Sequence, residues 1–92
     1  MIYATRIHMN DGCQNSNCLT DIDTIYLEGD GNNQFYKKGV IHDYLKTNPN
    51  TIRVNISPYP YVIPAISSKG EKYVRSEPND TIYDNLLKLP RL

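Results

Sequence analysis

Tryptophan is absent from this 92-residue chain, phenylalanine occurs once, and cysteine and histidine occur twice each. Ten Lys and Arg balance ten Asp and Glu, so the chain has no charge excess to draw it in bulk toward nucleic acid or membrane. No apolar run approaches the roughly 20 residues that span a bilayer. The opening Met1-Ile2-Tyr3-Ala4-Thr5-Arg6 lacks a cationic stretch leading into an apolar one, so we expect a soluble, cytoplasmic protein with no membrane contact. Without secretion, Asn55-Ile56-Ser57 and Asn79-Asp80-Thr81 carry no weight as glycosylation sites. Also missing are a Gly-x-Ser-x-Gly elbow, a His-Glu-x-x-His pair, a P-loop and a dinucleotide glycine pattern. Their absence makes catalysis the minority reading.

What is present suits one small globular domain: 39% hydrophobic and 22% charged residues. Charge is uneven along the chain, with one base (Arg6) against five acids up to Asp30 and nine bases against five acids beyond it. The eight tyrosines point to β structure, because an apolar ring with a polar tip serves sheet faces and contact surfaces alike.

Strands are expected over Ile2–Met9 and Leu19–Glu28, separated by a polar loop over 10–17. In the first, Tyr3, Thr5, Ile7 and Met9 share one face and Ala4, Arg6 and His8 the other. Gly29-Asp30-Gly31-Asn32-Asn33 is dense turn chemistry. A helix is expected over Lys37–Thr47, with Val40, Ile41, Tyr44 and Leu45 as its apolar stripe and Asn48-Pro49 as its stop. Further strands follow at Thr51–Ser57, Tyr61–Ser67 and Glu71–Ser76. Pro64 suits an edge or a bulge. The expected class is α+β, order ββαβββ, one helix on a largely antiparallel sheet. Four leucines in the last seven positions require a docked tail, since free they would leave apolar surface in water.

The segment Lys72-Tyr73-Val74-Arg75-Ser76, followed by Asp84-Asn85-Leu86-Leu87-Lys88-Leu89-Pro90, resembles a family of small bacterial and phage proteins known as a domain of unknown function. The resemblance implies this size and order of elements and an accessory, phage-type role, without an activity. The spacer Asn79–Tyr83 and the pair Cys13 and Cys18 stand outside its pattern.

Candidate sites follow from residue type. Arg53, Tyr59, Lys72 and Arg75, with Tyr61 and Tyr73, combine aromatic and basic side chains in the β region, suited to stacking single-stranded nucleic acid or a nucleotide. Against this, Tyr61 and Tyr73 would pack as core and the bases would be solvated. Cys13 and Cys18, with His8 and His42, have the residue types for zinc, but the histidines lack metal-ligand spacing. Two free thiols, or a loop disulfide formed on oxidation, together with surface histidines are the plainer reading, and no cofactor is expected. A cysteine-based enzyme or redox protein ranks last. Asp21 and Asp23 would lie on one strand face about 7 Å apart, more simply a solvated face than an ion site. Leu86, Leu87 and Leu89 form either a lid on the chain's own core, the favoured reading, or a homo-oligomer contact. The functional expectation is a non-enzymatic binder of a host protein or small anionic ligand, with nucleic acid as the alternative.

Overall fold

A computed structural model describes residues 1–77 and 84–92. The turn and spacer expected at 78–83 lie outside the described residues. The strands are β1 (Ile2–Met9), β2 (Ile22–Gly29), β3 (Asn32–Lys37), β4 (Ile52–Val54), β5 (Val62–Ile66) and β6 (Lys72–Ser76), with one helix, α1 (Lys38–Thr47), between β3 and β4. The protein is α+β, as expected, with one strand more than the sequence reading placed. Four strands form a sheet in the order β3-β2-β1-β4, and β5 and β6 form an antiparallel hairpin. A bridge between Arg53 and Tyr61 joins the two. All neighbours in the larger sheet are antiparallel except β1 and β4, which run parallel over Ile2–Ala4 and Ile52–Val54. No helix among the described residues is long and apolar enough to cross a membrane.

The added strand, β3, comes from the Asp30-Gly31 turn. Gly29 pairs with Asn32, and the two residues between them have positive φ, 51° and 86°. Asp-Gly at such positions makes the tight two-residue turn whose twist matches a hairpin. Phe35 and Tyr36 then supply strand propensity. Gly29 itself is required: at φ 111° its missing Cβ would lie 2.3 Å from the Met1 carbonyl oxygen.

Bulges rearrange the expected faces of β1 and β2. The register jumps between Ala4 and Arg6, so Thr5 is an extra residue, and Asp23 is an extra residue opposite the step from His8 to Met9. One extra residue reverses the alternation of side chains. Ile2 and Ala4 before the bulge therefore face inward together with Ile7 and Met9 after it. Tyr3, Arg6 and His8 face outward. On β2 the inward set is Ile22, Ile25 and Leu27. Asp21 and Asp23 do not form a carboxylate pair on one strand. Asp21 sits in a 3₁₀ turn and accepts from Ser16 Oγ, whereas Asp23 is ion-paired with Lys37.

The helix is also turned relative to expectation. Ile41, His42 and Leu45 are buried, while Val40 is 57% and Tyr44 42% exposed. Its inward stripe is Lys38, Ile41, His42 and Leu45, at spacings of three and four residues. Polar ties to the hairpin and the first 3₁₀ turn set this rotation. Lys38 Nζ donates to the Thr20 carbonyl and pairs with Glu71, and His42 Nδ1 donates to the Tyr73 carbonyl at 2.9 Å. His42, expected at the surface, is only 2% exposed.

The tail completes the core. Asp84 caps a 3₁₀ turn (Asn85–Lys88), accepting from the Leu86 amide and also from the Ser76 amide at the end of β6. The backbone then runs beside β1, where Ile7 N donates to Pro90 O at 2.9 Å and Leu92 N to Ile7 O at 3.0 Å. Leu86, Leu87 and Leu89 all join the core cluster. Their side chains lie inside the chain's own core, where the lid reading puts them. Leu86→Ala should destabilise the protein by roughly 2–5 kcal/mol, the cost of a core cavity. Urea unfolding of the two proteins measures it, and a loss well under 1 kcal/mol would refute core docking of the tail.

Candidate functional site

α1 packs on the inner face of the sheet, and no described element covers the outer face. Residues paired across neighbouring strands point to the same side, so register decides which side chains meet there. One row runs Phe35, Tyr26, Arg6. The Phe35 and Tyr26 rings meet edge to face at 5.0 Å, and the Arg6 guanidinium lies 4.4 Å above the Tyr26 ring. A second row runs Asn33, Glu28, Tyr3, Arg53 and across the bridge to Tyr61. The Arg53 guanidinium lies 4.2 Å above the Tyr61 ring and donates to Tyr61 Oη at 2.7 Å and to the Tyr59 carbonyl at 3.1 Å. Tyr59 in turn meets Tyr3 edge to face at 6.5 Å. A third row places His8 and Lys37 on either side of Thr24.

Tyr59 is held in place by its backbone. Its φ is 59°, a left-handed conformation that costs a non-glycine residue about 1–2 kcal/mol. Its amide donates to the Ile56 carbonyl at 2.7 Å while its own carbonyl accepts from Arg53. The result is a ring 45% exposed beside an arginine. Phe35 presents the other exposed ring, at 36%.

Neither Arg6 nor Arg53 has a carboxylate partner among the described residues. Each is braced by a tyrosine ring and keeps donors free, an arrangement that accepts anionic oxygens while neighbouring rings stack planar groups. Glu28 interrupts the second row, and Glu77 accepts from the Tyr61 amide. Lys37 in the third row is ion-paired with Asp23, so the positive charge without a carboxylate partner in these rows lies at Arg6 and Arg53.

Of the residues singled out from sequence, Arg53 and Tyr59 come together here. Arg75 pairs with Ile63 two positions from the Tyr61–Glu77 contact, so it shares Tyr61's side of the hairpin, about 7 Å along. Its Nε is buried with no partner among the described residues. Lys72 does not belong to this group. It points to the other side of β6 and binds Asp43 at 2.9 Å, and that ammonium holds the exposed Asp43 carboxyl below its usual range. Sequence reasoning marks Arg6, beside His8, as a possible contact for an anionic ligand, but it misses Tyr3, Tyr26 and Phe35. The alternation that would unite them is broken by the Thr5 and Asp23 bulges, and the sequence offers turn residues only as far as Asn33, with no strand over Asn32–Lys37.

The four metal candidates stand apart. His42 is buried between α1 and β6, and His8 is exposed on the outer face, its Nδ1 2.6 Å from Leu92 O. Cys13 is half-buried against the core and Cys18 is exposed, both as free thiols. Among the described residues no group of three or more His, Cys, Asp or Glu is placed to hold a metal.

Fold and site together define a small α+β protein whose sheet keeps one face open. The chain belongs to the family described as "Protein of unknown function (DUF3892)", whose sequence model matches residues 29–90, from the Asp30-Gly31 hairpin turn into the tail. No curated protein and no solved structure matches the chain.

Within the matched region the tail residues have architectural work. Arg91, one position beyond the match, extends it. Its Nη1 donates to the carbonyls of Gln14 and Ser16 at 2.9 and 2.8 Å, and its Nη2 to Leu87 O at 3.0 Å. One guanidinium therefore ties the cysteine loop to the tail. Arg91→Ala should release that loop, so Cys13 reacts several-fold faster with an aromatic disulfide reagent while the exposed Cys18 keeps its rate. Unchanged kinetics at both thiols would show that the loop is held without Arg91.

Proposed function

We propose that this is a non-catalytic binding protein, an accessory protein of bacterial or phage type. Its open sheet face takes a short stretch of single-stranded nucleic acid or a nucleotide. The supporting observation is the pair of arginine-on-tyrosine stacks, Arg6 on Tyr26 and Arg53 on Tyr61, set among the exposed rings of Phe35 and Tyr59. Single-stranded ligands are held by base stacking on aromatic rings and by cations that follow the phosphates, and an uncovered sheet face is a recurring platform for this. Zero net charge and the acids at Glu28 and Glu77 suit a short ligand gripped at two points rather than a long duplex.

The same face also supports the second reading, a host protein, because tyrosine and arginine dominate protein–protein hot spots. Salt separates the two. Two phosphate contacts to a single strand give a slope of about −1.4 in log K against log salt. Fluorescence anisotropy with short oligothymidylate and oligoadenylate across a salt series measures it. Tyr59→Ala should weaken binding about 5- to 150-fold, the worth of one stacked base. Arg6→Ala with Arg53→Ala should flatten the slope. Failure of the folded protein to bind any oligonucleotide or mononucleotide at low salt would sink the nucleic-acid reading.

A further inference from the structure

On the opposite side of the sheet, between α1 and the inner ends of β1–β4, lies a cavity of about 260 Å³. We propose that it is a binding site for a small, uncharged aromatic molecule carrying one N–H or O–H donor, of the phenol or indole type. The inference is independent of the outer-face reading and uses none of its residues.

The floor is aliphatic: Ile2, Leu27, Ile41 and Ile52, all buried core residues. An aliphatic-walled cavity of about 150 Å³ takes benzene, so this one has room for a substituted ring or two fused rings. It is too small for a helix, whose diameter with side chains is about 10–12 Å. No lining residue is charged, so an ionic ligand would lose its hydration without a counter-charge.

Two tyrosines flank the cavity and set the ligand's polar group. Tyr36 Oη donates its proton to Asn32 Oδ1 at 2.8 Å, and Asn32 Nδ2 donates to the Gly29 carbonyl at 3.1 Å. With its proton committed, Tyr36 Oη offers lone pairs only, and so selects a ligand that donates. Tyr44, on the helix, supplies the second ring, and Val40 stands beside it at the mouth.

The gap is built into the packing. α1 is tied to the hairpin by Lys38–Glu71, by Lys72–Asp43 and by the His42–Tyr73 hydrogen bond. All three ties pull the helix toward β6. Val40 and Tyr44 are thereby left standing over the sheet instead of closing onto it, which is why they are exposed although apolar.

The test is a methyl NMR titration of the full chain with p-cresol, indole, toluene and benzoate. Saturable shifts confined to the methyls of Ile2, Leu27, Val40, Ile41 and Ile52 are expected with p-cresol and indole, and none with benzoate. Val40→Trp, placed at the exposed mouth, should abolish them. Tyr36→Phe should weaken p-cresol about 2- to 12-fold, the value of one neutral hydrogen bond, and leave toluene unchanged. Oligonucleotide binding measured on the same variants should not change, which separates this site from the outer face. The proposal is overturned by shifts that do not saturate, by shifts outside the cavity, by equal binding of benzoate, or by Val40→Trp binding like the parent in a folded state. Should Val40→Trp fail to fold, equal loss of p-cresol and toluene in Tyr36→Phe overturns the donor requirement.

Discussion

Ile7 exchanges two backbone hydrogen bonds with the tail, one to Pro90 and one from Leu92, and much of the molecule depends on that short contact. β1 is an inner strand of the sheet, yet its second neighbour β4 covers only Ile2 to Ala4. Beyond Ala4 an open edge would leave buried amides and carbonyls without partners, which a protein interior does not tolerate. The tail satisfies them and delivers Leu86, Leu87 and Leu89 to the core in the same movement. Asp84 fixes the approach by holding the last amide of β6 and the first turn of the tail at once. Arg91 carries the arrangement outward to the cysteine loop.

With the tail beside β1 and the helix on the inner face, the outer face is left to the polar–aromatic set. The bulges at Thr5 and Asp23 decide its membership. Without the Thr5 bulge, Tyr3 and Arg6 would point to opposite sides, and the two arginine–tyrosine stacks would not share a surface. Strain is accepted at Tyr59 for the same surface, where a left-handed backbone is kept by the Arg53 hydrogen bond. The helix, drawn toward the hairpin by Lys38, His42 and Asp43, leaves the inner cavity on its other flank.

Read alone, the sequence specifies the α+β class, the helix to within one residue at its start, the approximate positions of five strands and the need to dock a leucine-rich tail. Each of these is local: apolar periodicity, turn residues and proline stops act over a few positions. It also brought out Arg53 and Tyr59, because residue type alone marks them. The rest depends on contacts between segments distant in the chain. Helix rotation, and with it the burial of His42 and exposure of Val40 and Tyr44, was settled by polar contacts 18 to 33 residues away in sequence. The faces of β1 and β2 were settled by bulges, where one unpaired residue inverts every side chain after it. Arg6, Tyr26 and Phe35 could be grouped only once three strands were in register, because pairing between strands is a long-range choice that no short window of sequence records.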